Sequence, residues 1–146
     1  MNRTTLFALS FGCFALGAGG AAFAGDDETP TECSASTLDG SYVYSTQGTL
    51  DGEPYASAGI MSFDGEGTIA ILATRSVERE QVTQSGTYTV ESNCSGSMEV
   101  EDGTINSLYL DPAGKSFKFV RVTGEGAVGG EAERVTTGFV GQPPGQ

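Results

Sequence analysis

Phe63-Asp64-Gly65-Glu66-Gly67-Thr68-Ile69 (FDGEGTI) is the stretch on which the reading of this chain turns. Two glycines flank a carboxylate, an aspartate precedes them, and an apolar residue stands at each end. If Gly65-Glu66-Gly67 is a three-residue hairpin loop with positive φ at Gly67, Asp64 faces Thr68, Phe63 faces Ile69 and Met61 faces Ile71. All four apolar residues then share one sheet face. A two-residue loop would set Phe63 against Thr68 and split that face, and a one-residue slip moves every side chain to the other side. The heptapeptide therefore reads as a turn between two strands. A phosphate loop needs glycines entering a helix and a following Lys; here they enter a strand. A calcium loop needs several oxygen ligands at alternate positions, and Asp64 and Glu66 supply two.

The same texture extends along the chain. From Leu38 onward, short runs rich in Val, Ile, Thr, Tyr and Phe alternate with Gly, Asp, Pro and Ser, and no window keeps a helical apolar period. Eight candidate strands follow, over about 41–48, 57–64, 68–76, 80–90, 95–101, 104–111, 115–122 and 132–140. The links are short, which makes neighbours antiparallel; the exceptions are 49–56 and the Gly/Glu-rich stretch 123–131. Asp102-Gly103 reads as a two-residue turn pairing Val100 with Ile105. Pro112-Ala113-Gly114 reads as a three-residue loop pairing Tyr109 with Phe117. Together they predict one face carrying Met98, Val100, Ile105, Ser107, Tyr109, Phe117, Phe119 and Arg121, with Tyr42 and Tyr44, and Tyr88 and Val90, each sharing a face. Leu108, Leu110, Val120 and Val122 then fall on the opposite face, to be covered by 123–131 or by a second subunit. The expected fold is all-β: an eight-stranded antiparallel up-and-down barrel, with a β-sandwich as the alternative. Eight strands enclose either a side-chain-filled interior or one small ligand.

The first residues read as an export signal. Arg3, an apolar run from Leu6 to Leu16 and the small-residue ending Ala22-Phe23-Ala24 make residues 1–24 a secretory signal peptide cut after Ala24; the run is too short for a spanning helix. Phe11 occupies a place where a lipoprotein signal at Cys13 wants a small residue. Residues 25–37 read as a flexible lead-in, 38–140 as one barrel domain and 141–146 as a disordered tail. The expected location is secreted or periplasmic, with no membrane span in the mature form. Two cysteines then remain, Cys33 and Cys94, and in an exported protein they pair.

Composition narrows the chemistry. The formal net charge is −12 with no basic cluster, so nucleic acid is not an expected partner. With no histidine in the chain, His-based acid–base catalysis and serine triads are excluded, and a metal site on the two cysteines has no histidine to complete it. No catalytic residue, metal or cofactor is assigned. The candidate ligand-binding residues are Tyr44, Tyr88, Tyr109, Phe117, Phe119 and Arg121. Arg121 stands out because a charge sharing a face with Phe117 and Phe119 needs a partner: a ligand carboxylate, an acid such as Glu99, or the ring of Tyr42.

Cys33, Leu38-Asp39-Gly40-Ser41-Tyr42, Ala58-Gly59, Phe63–Gly67, Gly86-Thr87-Tyr88-Thr89-Val90 and Cys94-Ser95-Gly96 together resemble small secreted bacterial proteins that look like calycin barrels, of the lipocalin or allene oxide cyclase kind. Gly40-x-Tyr42 is similar to the Gly-x-Trp that opens a lipocalin's first strand, and the resemblance implies that Arg121 is the late-strand Arg packing over that aromatic. The aromatic stripe on one sheet face points to an interior site for a small, mostly apolar molecule. The other expectations are a filled barrel with a structural or interaction role at the cell envelope, oligomerising through Leu108, Leu110, Val120 and Val122, and a cyclase-like enzyme acting through cavity shape.

Overall fold

The computed structural model describes residues 32–138. After a single 3-10 turn, Ala35–Thr37, the chain forms β1 (Asp39–Leu50), β2 (Glu53–Asp64), β3 (Thr68–Arg75), β4 (Gln81–Val90), β5 (Ser95–Val100), β6 (Ile105–Leu110), β7 (Ser116–Arg121) and β8 (Gly126–Thr136). Every strand pairs antiparallel with the next, and β8 pairs back onto β1, closing the sheet into an up-and-down barrel. Closure leaves no unpaired edge. The expected signal peptide, 1–24, and the tail, 141–146, lie outside the described residues.

The opening heptapeptide forms the expected hairpin. Phe63 pairs with Ile69 and Met61 with Ile71, and Gly67 has φ +120°. The Asp64 carboxylate is consumed by the turn: one oxygen accepts the backbone N–H groups of Glu66, Gly67 and Thr68 at 2.8, 2.9 and 2.8 Å. Burial works against its charge, but these N–H donors outweigh it and hold the carboxyl below its ordinary value. Residues 49–56, expected as a longer link, instead extend both strands to a two-residue turn at Asp51-Gly52, pairing Leu50 with Glu53. Both turn residues have positive φ, +52° and +82°, as the type I′ geometry requires.

Two other turns differ from expectation, each by one residue. Val100 N–H donates to Thr104 O at 2.9 Å, so Glu101-Asp102-Gly103 is a three-residue loop with Gly103 at φ +82°, and Glu99, not Val100, lies opposite Ile105. The next loop is one residue longer than expected, since Asp111 N–H donates to Ser116 O; Leu110 pairs with Phe117 and Tyr109 with Lys118. The two displacements cancel for β7, whose Phe117 and Phe119 face inward, and invert β6. Asn106, Leu108 and Leu110 line the interior, while Tyr109 stands outside at 61% exposure. The anticipated outer face of Leu108, Leu110, Val120 and Val122 is therefore not formed: the leucines are core, and Val120 and Val122 are exposed singly.

The stretch 123–131, expected as a covering connection, begins the last strand, with Gly126 paired to Leu50. Its glycines permit this. A Cβ on Gly130 would lie 2.4 Å from Ser45 O and 2.7 Å from Cζ of Phe119, so only bare backbone lets β8 close on β1 beneath that ring. The lead-in is likewise fastened at its end. Cys33 is bonded to Cys94, 61 residues away, a loop closure that contributes about 4 kcal/mol in the chain-entropy account.

One half of the barrel is filled. Phe63 is the hub of edge-on aromatic contacts, with ring centroids 5.4 Å from Tyr42, 5.0 Å from Tyr88 and 5.5 Å from Phe117. Leu38, Ile69, Leu108 and Leu110 complete this layer. Burial of each large side chain contributes about 1.5–3 kcal/mol.

Candidate functional site

Alternation along each strand gives the barrel two unlike ends. At the end where β1 begins, the 3-10 turn and Leu38 cap the interior. The Tyr88 hydroxyl lies 3.0 Å from both Ala35 O and Leu38 O, where its proton serves these carbonyls. Arg134, from β8, closes the same end. Its Nε and one terminal nitrogen donate to the Tyr42 hydroxyl at 3.0 and 2.8 Å, and that nitrogen also donates to Thr37 O at 2.8 Å. The guanidinium carbon is 5.4 Å from the Tyr42 ring centroid, and the Tyr42 hydroxyl donates to Gly114 O at 2.7 Å. The Arg packing over the first-strand aromatic is thus Arg134 rather than Arg121. Burial raises the Tyr42 pKa, against the lowering pull of Arg134.

The other end is open. There the interior continues as a pocket of about 270 Å³. Its floor is apolar, formed by Tyr44, Met61, Ile71, Met98 and Phe119, with Val100 and Val128 on its walls. Tyr44 and Phe119 meet edge-on at 6.0 Å. The Tyr44 hydroxyl is 3.1 Å from Ser57 Oγ, and burial raises its pKa although that hydrogen bond lowers it. A dry cavity of about 150 Å³ accepts benzene, so this pocket has room for a body of one to two rings.

The mouth is polar. On one side Arg75 ion-pairs with Glu78 at 3.4 Å and Asp102 at 3.6 Å. Arg75 also donates to Gln84 Oε1, and Gln84 Nε2 donates to Asp102 at 2.8 Å. Burial opposes the charge on Asp102, but the bonds from Gln84 and Thr104 and the charge of Arg75 together lower its pKa. On the other side are Arg121 and Asn106, paired across β6 and β7 with both side chains inward. Arg121 Nε donates to Thr123 O at 2.9 Å. Among the described residues no group of three or more His, Cys, Asp or Glu is placed to hold a metal.

Of the six residues expected to bind a ligand, three line this pocket: Tyr44, Phe119 and Arg121. Tyr88 and Phe117 belong to the filled half, where they support the core, and Tyr109 is outside. The expectation that Tyr109 faces the interior is corrected by the β6 register. Asn106, Thr46, Met61, Ile71 and Arg75 were missed. Met61 and Ile71 were already on the inward face set by the opening hairpin, so their place was legible. Asn106 was hidden by the β6 inversion.

No family model matches this chain, and no curated protein does. Among solved structures it is similar to a redesigned β-barrel, mFAP1, determined bound to DFHBI. The TM-score is 0.53 at 19% sequence identity, over 68% of this chain and 97% of that one. At that identity the likeness bears on architecture alone, and it agrees with the strand pairing: the chain is a closed, eight-stranded, all-antiparallel β-barrel.

Proposed function

We propose that this protein is an exported barrel that binds a small, mostly apolar molecule in its interior, entering at the end opposite Arg134. One observation carries the reading: the aromatic packing that fills the barrel stops at Phe119, and above it lies an apolar-floored pocket with a polar mouth. Small-molecule sites join apolar surface to placed polar groups, and this pocket has an apolar floor beneath a polar rim. A solved barrel of similar architecture was determined with a small molecule bound. The Cys33–Cys94 bond is consistent with an oxidising compartment, and no helix among the described residues is long and apolar enough to cross a membrane. The outer surface bears Glu99, Lys118, Glu131 and Glu133, all exposed, unlike the apolar band of a membrane barrel.

Native mass spectrometry of the exported protein purified from its own host tests the reading. The expected result is an added mass that disappears on denaturation. A bare polypeptide mass that also fails to take up any added naphthalene-sized probe would refute it.

A further inference from the structure

Three polar groups inside the pocket have bonding capacity that the protein does not use. Thr46 Oγ1 is buried without a hydrogen-bond partner. Asn106 is 6% exposed and lines the pocket, and its carboxamide makes no hydrogen bond with the described residues. Arg121 spends one N–H on Thr123 O, and no carboxylate among the described residues lies within ion-pair distance of it. Buried polar groups are ordinarily satisfied; Arg121 is half-buried, at the pocket mouth. The contrast with Arg75 is instructive. That guanidinium, on the same rim, is held by Glu78 and Asp102 and bonded to Gln84. In a chain of net charge −12, acids to neutralise Arg121 are abundant, yet none is placed there.

Arg121 and Asn106 are direct cross-strand partners, and Leu108 and Phe119 are the next inward pair on the same two strands. Two side chains offering N–H donors thus stand side by side, one layer above an apolar floor. A planar anion meets a guanidinium and an amide donor in this arrangement, with charge-assisted hydrogen bonds. Building on the interior-binding reading above, we infer that the ligand is an organic anion. Its body, one to two rings in size, lies on Tyr44, Met98 and Phe119, and its carboxylate or comparable acidic group is received by Arg121 and Asn106.

The test uses two probes with the same naphthalene body, 2-naphthoate and 2-naphthylmethanol, titrated into the full chain. The protein has no tryptophan, so naphthalene fluorescence is read without that background. Wild-type protein is expected to bind the carboxylate about tenfold or more tightly than the alcohol. Arg121→Gln should bring the two within about twofold by weakening the carboxylate far more than the alcohol. Asn106→Leu should weaken the carboxylate by about threefold to tenfold. In unmodified protein, the Arg121 Nε–H resonance should shift on adding naphthoate and stay in place with the alcohol, a readout that survives any folding defect of the variants. Equal binding of both probes by wild type would overturn the anion assignment and leave the interior-binding reading standing. A carboxylate preference that persists in Arg121→Gln would also overturn it. Binding of neither probe would overturn both.

Discussion

The Arg134 guanidinium donates twice to the Tyr42 hydroxyl, at 3.0 and 2.8 Å, from above the same ring. This one side chain joins the last strand, the first strand and the 3-10 turn, so it seals the barrel where closure and cap meet. Arg134→Met keeps the aliphatic stem and removes the donors. It should cost about 2–3 kcal/mol, lowering the melting temperature by about 4–8 °C per kcal/mol. Tyr42→Phe should cost about 1–2 kcal/mol, because Gly114 O and the guanidinium each lose a partner. Thermal denaturation of both variants checks this, and a Tyr42→Phe protein as stable as wild type would remove the hydroxyl from the account.

Leu108 and Tyr109 are adjacent on β6 and point in opposite directions, the first fully buried and the second largely exposed. Leu108→Ala should therefore cost about 2–5 kcal/mol, and Tyr109→Ala should change stability by about 0.5 kcal/mol or less. Urea denaturation of the pair reads the β6 register directly, since the register expected from the turns alone demands the reverse ranking.

That strand also shows what the sequence made legible. The eight strands, the FDGEGTI hairpin and the pairing of Cys33 with Cys94 follow from turn chemistry, alternation and cysteine count, whereas closure into a barrel rather than a sandwich does not, because alternation is the same in both. Register on β6 does not, because Ile105, Leu108, Tyr109 and Leu110 put apolar residues on both parities and alternation cannot arbitrate. Asp-Gly is the turn pair at Asp51-Gly52, whereas at Asp102-Gly103 a third residue, Glu101, enters the loop. Local residue identity does not distinguish these; the shared register of the neighbouring strands does. The glycines of 126–130 resemble a loop in sequence and serve as strand, because at Gly126 and Gly130 the close packing of β1, and at Gly130 the Phe119 ring, requires backbone without side chains. Tyr44, Phe119 and Arg121 line the pocket because their inward parity was read correctly and they lie toward the open end; Tyr88 and Phe117 are also inward, but in the filled half.

Tyr88 provides a pH signature. Burial pushes its pKa up to about 12, with the charge of Asp64 adding to the rise. The folded state thus favours the neutral phenol more than the unfolded state, which ionises near pH 10. Its stabilising contribution is complete below about pH 10 and is lost as pH rises toward about 12. Tyr42 and Tyr44 shift in the same direction and steepen the decline. Urea midpoints measured across this range should fall with pH, and Tyr88→Phe, less stable at neutral pH, should show a shallower fall. A midpoint unaffected by pH up to 12 would contradict the burial of these phenols.

Phe119 is the boundary between filled core and pocket, so Phe119→Trp should occupy pocket volume at a stability cost of about 1–3 kcal/mol. A cooperative melt with 2-naphthylmethanol affinity reduced about tenfold or more is expected. Undiminished affinity in a well-folded variant would place the bound molecule elsewhere.

The most direct measurement uses the methionines. Met61 and Met98 sit on the pocket floor, and the only other methionine in the chain is Met1. Carbon-13 methyl spectra recorded while 2-naphthylmethanol is added should show the Met61 and Met98 resonances shifting together and saturably. Saturable binding that leaves both floor methyls in place, or no binding at all, would contradict an interior site.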